Sequence, residues 1–332
     1  MAGGRESEKQ RPHVFLSTSS SHFFSLLGVF DGHSGSAAAR FLVDRLYPAL
    51  VSAIDESALS ADECEVGDDD GDAGAAPAPA AGVCCPVTLS FALAAAFDGV
   101  DRALLSALAR LRSSDPEREA GSTATVLLAR PGRLVAANVG DSRAVLCRGG
   151  AAIDLTTEHR VDGPSPAAAS EIGRVNAAGG WIDDGRVCGV LAVSRAFGDR
   201  GLKRPGLTTT LKQGVVDGWW DRAFADAHRS FSADPVIPTP DVTEIATSAA
   251  DEFVVIASDG LWDVLSSRDA CALARRALRR GEGPGGAAEA LAAAAAKRRT
   301  EDNVAVVVID LKGGEGGEGS GKAGGFFSGL FG

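Results

Sequence analysis

Apolar residues recur along this chain with two periods, one suited to strands and one to helices. Phe23 to Phe30 is almost continuously apolar, which predicts a strand buried on both faces. It stops at Asp31-Gly32-His33-Ser34-Gly35. Beyond that point Ala38, Phe41, Leu42, Leu46 and Leu50 recur at helical spacing and predict an amphipathic helix over Ser34–Ile54. Leu89, Leu93, Phe97, Val100, Leu104 and Leu108 predict a second helix over Val87–Leu111. The pattern then turns β-like. Ser122–Ala129, Leu134–Val139 and Ala144–Cys147 are separated by Pro131-Gly132 and Gly140-Asp141-Ser142, as in an antiparallel meander. A helix follows over Ser165–Ala178, and Gly189 to Asp199 reads as packed but partly irregular. Strands are expected at Val14–Leu16, Asp241–Ile245, Phe253–Ala257 and Val304–Ile309, and helices at Arg268–Arg280 and Ala287–Arg299.

Two stretches break these rhythms. Asp55 to Pro86 carries Asp68-Asp69-Asp70 and an Ala/Pro run, a composition that cannot bury enough apolar surface to order itself, so a disordered insertion is expected. Lys203 to Ala233 shows no convincing period and reads as a flexible surface insertion, with Trp219-Trp220 as a local packing anchor. The Gly-rich stretch from Gly313 to Gly332 reads as a flexible tail, which leaves residues 1–312 as one domain.

Composition narrows the function. The net charge of −11 over 332 residues argues against a nucleic-acid surface. No window approaches the roughly 18 uninterrupted apolar residues of a membrane span, and Met1 to Arg11 has no signal-type apolar core. Six cysteines lack paired metal-type spacing. These features suggest a reduced intracellular protein, cytoplasmic or nuclear, with a monomer favoured.

Candidate chemistry lies where strands end. Asp31-Gly32, Asp259-Gly260 and Asp302-Asn303 each sit at a strand terminus, and Asp141 sits at a meander tip. Taken singly, each also suits an ordinary turn. There is no Walker-type lysine loop, no His/Cys cluster suggesting zinc and no G-x-S-x-G element. Ligation by oxygen alone favours Mg²⁺ or Mn²⁺.

Seven pieces in order resemble the metal-dependent protein phosphatase family, type 2C. They are Val29 to Gly35, Gly121-Ser122-Thr123-Ala124, Asn138 to Arg143, Leu155 to His159, Gly189 to Asp199, Ser258 to Asp263 and Glu301-Asp302-Asn303. The resemblance implies an α+β fold, a four-layer α/β/β/α sandwich of two antiparallel sheets flanked by helices. It also implies hydrolysis of phosphoserine and phosphothreonine in protein substrates by direct attack of hydroxide held between two Mg²⁺ or Mn²⁺ ions. Asp31 would bridge both ions, with the Gly32 carbonyl completing the second site. Asp259 and Asp302 would hold the first ion, and Asp141 with Asp259 a weak third. His33 resembles the acid that protonates the leaving alkoxide, with a helix-entry hydrogen bond as its alternative role. Arg195, Asp199, Arg143 and Asn303 are expected to be structural around the site, and Glu158-His159 replaces the family's usual Asp-His.

The N-terminus departs from the pattern. The family carries a phosphate-gripping Arg, then Glu-Asp supporting the second metal through water. Arg5 fits the first role, with Arg11 as the other candidate. The acidic positions fall on Lys9 and Gln10, with Glu8 one residue out of register. A different start to the chain, a bulge that shifts Glu8 into place, or a weak second metal would each account for this. The departure also keeps open a pseudophosphatase, the same fold binding phosphoproteins without turning them over.

Overall fold

Alternation within single strands sets the layers of the computed structural model, which describes residues 13–19, 24–61, 86–130, 132–228 and 230–312. Strand β1 (His13–Ser19) pairs antiparallel with β2 (Phe24–Phe30), whose Leu26 and Phe30 face one way and Leu27 and Val29 the other. Leu26 and Phe30 pack under two long helices, α1 (Ala37–Ala61) and α2 (Pro86–Ala109), reached through the two-residue strand β3 (Gly32–His33). Leu27 and Val29 face a second sheet.

The first sheet is completed by β5 (Ala124–Arg130) and β6 (Arg133–Val139), preceded by the short β4 (Gly121–Ser122). The meander continues into the second sheet through β7 (Arg143–Arg148) and β8 (Ala151–Asp154). Val145 and Cys147 of β7 point outward, while Ala144 and Leu146 point toward the first sheet. Helix α3 (Pro166–Ala177) starts where the Ser165 side chain accepts from the Ala168 N–H with proline in the first turn. After it come β9 (Ile182–Asp183), β10 (Arg186–Val187), β11 (Phe197–Gly198), α4 (Gly206–Val216) and α5 (Arg222–Ala227). The chain then returns through β12 (Asp241–Ala246), β13 (Asp251–Ala257), a single turn α6 (Asp259–Trp262), α7 (Ser267–Arg279), α8 (Gly283–Lys297) and β14 (Val306–Asp310).

Two antiparallel sheets result, ordered β1-β2-β5-β6-β12 and β14-β13-β7-β8. Leu27, Val29, Leu127, Leu146, Val254 and Ile256 fill the space between them. Helices α1 and α2 cover one outer face, and Cys271, Ala274, Leu291 and Ala295 of α7 and α8 cover the other. This is the expected α/β/β/α sandwich.

The expectation for Lys203–Ala233 needs correction. That stretch holds α4 and α5, and Leu207 and Leu211 are buried. Its helical face is short and interrupted by Gly206 and Gly214, which hides the period. Trp220 does act as an anchor, since it packs edge-on against Trp181 and stacks with Phe224. Helix α1 also continues through Asp55–Ala61, into the stretch read as disordered. Residues 62–85, the 313–332 tail and Arg5, Glu8, Lys9, Gln10 and Arg11 lie outside the described residues.

A buried carboxylate ties the excursion carrying α3 to α5 onto the sandwich. Glu171 accepts from Ser194 Oγ at 2.6 Å, Arg174 Nη2 at 2.9 Å and Arg195 Nη2 at 2.7 Å. Arg195 also donates to Asp241 at the start of β12 at 2.7 Å. Burial alone would raise the Glu171 pKa, but its hydrogen bonds to Arg195 and Ser194 win and hold it at about 2. A carboxylate depressed in the folded state adds stability above its unfolded pKa, and that stability is lost as pH falls toward the folded value. Glu171→Gln should therefore cost on the order of 3 kcal/mol at neutral pH. In denaturant titrations from pH 7 down to 2, the gap between variant and wild type should begin to narrow at about pH 4.5 and close as pH nears about 2.

Candidate metal centre and acid group

Asp31 sits where β2 stops, and its backbone is fixed from the neighbouring strand. Its N–H donates to Thr123 Oγ1 at 3.2 Å, and its carbonyl accepts from the Thr123 N–H at 2.9 Å and Ser122 Oγ at 3.1 Å. Thr123 Oγ1 in turn meets Ser142 Oγ at 3.2 Å, which binds this strand end to the turn carrying Asp141. That turn is held by His159. The Gly140 N–H donates to its Nδ1 at 3.1 Å, which leaves Nε2 to donate to Asp241 at 3.2 Å. The altered Glu158 faces Arg143 at 3.6 Å.

Asp259 begins α6 directly after β13, and Asp302 lies in the loop before β14. The two segments cross closely. Ser258 Oγ donates to the Asn303 carbonyl at 3.2 Å and accepts from the Ala305 N–H at 3.0 Å. A Cβ on Gly260 would collide with the Asn303 carbonyl, so glycine is needed for Asp302 to come this near Asp259.

Asp31, Gly32, His33, Asp141, Asp259, Asp302 and Asn303 thus line one pocket of about 450 Å³. Arg186, Leu191, Ala192 and Val193 from the excursion form another part of its wall. Of the site residues read from the sequence, the N-terminal candidates Arg5, Glu8 and Arg11 fall outside the described residues.

Like charge dominates this pocket. Burial, then repulsion from Asp259, Asp141 and Asp302, pushes the Asp31 carboxyl far above the usual range. Burial followed by repulsion from Asp141, Asp263 and Asp302 does the same to Asp259. Among the described residues no three His, Cys, Asp or Glu side chains form a ready-made ligand shell. Mutual repulsion in a partly dry pocket opposes closer approach. The Oδ1 atom of Asp259 is buried without a hydrogen-bond donor. A hard divalent cation satisfies all three features: it takes carboxylate and carbonyl oxygens, neutralises their repulsion and occupies the orphaned lone pairs.

Sequence reasoning missed Arg160. Its Nε donates to Asp141 Oδ2 at 3.0 Å, and its Nη2 lies 3.3 Å from Asp259 Oδ2 and 2.9 Å from Asp263 Oδ1. The pair read as a weak third metal site is therefore already bridged by a guanidinium, which an ion there would have to displace. Arginine after Glu158-His159 carries no spacing signal, because its partners are remote in sequence.

His33 is fixed on its other side. Its Nε2 lies 2.8 and 2.9 Å from the two carboxylate oxygens of Asp199. Burial alone would lower the His33 pKa, but the Asp199 carboxylate outweighs it and raises the value. Arg143 lies over the Trp262 ring at 4.7 Å, and Arg195 serves Glu171 and Asp241, so both have structural work.

Comparison with known proteins agrees with this geometry. A family model for protein phosphatase 2C matches residues 7–304. Protein phosphatase 2C 57 of Arabidopsis thaliana is 39% identical over 288 residues, covering 87% of this chain and 68% of that protein. Probable protein phosphatase 2C 47 of Oryza sativa subsp. japonica is 31% identical over 315 residues, covering 90% and 65%. The chain spans about two thirds of the length of these relatives. Among solved structures, a serine-threonine phosphatase 2C from Toxoplasma gondii superposes with a TM-score of 0.64 at 21% identity, over 92% of this chain and 91% of that one. A C. elegans sex determining protein shares the fold with a TM-score of 0.60 at 20% identity, over 91% and 62%. This chain belongs to the protein phosphatase 2C family of serine/threonine protein phosphatases.

Proposed function

We propose that this chain is a Mg²⁺- or Mn²⁺-dependent phosphatase acting on phosphoserine and phosphothreonine in proteins. The observation that carries the reading is the buried, donor-less Oδ1 of Asp259 in a pocket that also gathers Asp31, Asp141 and Asp302. Asp31, the Gly32 carbonyl, Asp259 and Asp302 would hold two ions. When bound, the ions would supply positive charge for the phosphoryl oxygens and lower the pKa of water for direct attack on phosphorus.

The chain's own groups do the remaining work. His33 stands at the pocket with a raised pKa, suited to give a proton to the departing serine or threonine oxygen. Arg186 brings a cation to the lining of the pocket that a phosphorylated side chain would enter. Arg5 is the candidate phosphate grip from the N-terminal segment. The second reading, a pseudophosphatase, is favoured by Lys9 and Gln10 standing where the family has Glu-Asp.

Mn²⁺ at millimolar concentration should raise the melting temperature, and Asp259→Asn or Asp31→Asn should abolish that rise together with release of phosphate from a phosphothreonine peptide. Release unaffected by chelator would refute the metal reading, and a folded wild type with no release would leave the binding module. Without metal the sign reverses. The Asp31 pKa is raised on folding, so its ionised form costs stability once pH exceeds the ordinary value of 3.8. Metal-free Asp31→Asn should therefore be more stable than wild type at pH 7, by about 1–3 kcal/mol, and no more stable near pH 3.5. Gly121→Ala probes the acid group separately. A Cβ there would collide with His33 Nε2 and Asp199 Oδ2, so peptide turnover should fall at least about tenfold while the Mn²⁺-induced melting shift persists.

A further inference from the structure

His33 does not stand alone. We propose that Asp199 is its positioning residue, holding the ring with Nε2–H donating to the carboxylate so that Nδ1 delivers the proton to the leaving group. The inference rests on the phosphatase reading and deepens it.

Both oxygens of Asp199 lie within 2.8–2.9 Å of Nε2. An ionised carboxylate only accepts hydrogen bonds, so Nε2 must be the donor. The imidazole has one other nitrogen, Nδ1, and it alone remains for substrate. Asp199 does not line the pocket, whereas His33 does, so Asp199 acts through the ring rather than on reacting atoms. Its residue is 6% exposed, which keeps water from competing for the ring hydrogen.

The fold holds this dyad from three directions. Strands β3, β4 and β11 form a small sheet in which His33 pairs with Gly121 and Gly121 with Gly198. Asp199 follows directly with a left-handed backbone, φ 47°, and its N–H donates to the Ala120 carbonyl at 3.2 Å. Gly121, lacking a side chain, leaves the space in which the imidazole and the carboxylate meet. From behind, Asp101 of α2 accepts from the Gly198 N–H at 2.8 Å and binds Lys203 Nζ at 2.7 Å. Lys203 also donates to the Ala196 carbonyl at 2.9 Å. Lys203 and Asp101 are both buried, so residues 196–199 are clamped by an ion pair with no stake in the pocket itself.

The proton balance is simple. The phosphorus–oxygen bond to serine or threonine breaks with its electron pair on that oxygen, and the Nδ1 proton passes to it. The Nε2 hydrogen stays on the ring, donated in a hydrogen bond to Asp199. The proton released by the attacking water restores the imidazolium.

Leaving-group chemistry separates positioning from mere folding. With Mn²⁺ present, Asp199→Asn should lower kcat on a phosphothreonine peptide about 10²-fold, with KM changed less than about twofold. On 4-nitrophenyl phosphate, whose leaving group departs without a proton, the loss should stay below about tenfold. Adding Asp199→Asn to His33→Gln should cost nothing further on the peptide. Equal losses on both substrates, or additive losses in the double variant, would overturn the proposal. A wild type inactive on both substrates would sink the phosphatase reading instead. Nitrogen-15 spectra of the wild-type protein read the tautomer without any variant or turnover. The neutral His33 ring should carry its hydrogen on Nε2, and a ring protonated on Nδ1 alone would refute the assignment.

Discussion

Electrostatic repulsion among Asp31, Asp141, Asp259 and Asp302 is the constraint around which the rest of this molecule is arranged. Carboxylates gathered in one partly buried pocket are unfavourable for folding, since Asp31 and Asp259 lose solvation and are pushed up further by the charges of the acids around them. The sandwich supplies the opposing free energy through three apolar layers: helices on sheet, sheet on sheet and sheet on helices. The acids come from strand ends and their following turns, so the stiffest parts of the fold bear the repulsion. Arg160 relieves part of it from within the chain.

Four small hydroxyl residues, Ser122, Thr123, Ser142 and Ser258, turn a collection of strand ends into a site. Ser122 and Thr123 bind the Asp31 carbonyl, Thr123 reaches Ser142 beside Asp141, and Ser258 stitches the Asp259 turn to the Asp302 loop. None of these hydroxyls titrates or carries charge. Their short side chains have few rotamers to lose, so they locate backbone carbonyls at low entropic cost. The small sheet β3-β4-β11 serves the other half of the site, aligning His33 with the segment that ends in Asp199.

Much of this was legible from spacing alone. Leu26, Leu27, Val29 and Phe30 of β2 are buried on alternate faces, as an uninterrupted apolar run implies, and Leu89 through Leu108 mark the buried face of α2. Asp-Gly at the ends of such runs pointed to the pocket because local sequence records where a strand stops. What it does not record is pairing between remote side chains. The pairings of Asp199 with His33 and of Arg160 with Asp259 leave no local mark, since the partners lie 166 and 99 residues apart. Helices α4 and α5 escaped notice for another reason: their burial is against Trp181 and a local cluster, so they need no long amphipathic stripe.

That local cluster has a consequence for how the molecule can diversify. Val161, Val175, Val187, Val193, Leu202, Leu207 and Val236 form a core separate from the three layers of the sandwich, and they support the wall of Arg186 and Leu191–Val193. The aspartates and that wall are thereby supported by different cores. On the proposed function, substitutions beneath the wall would change the shape that a phosphorylated surface meets while the aspartates keep their places.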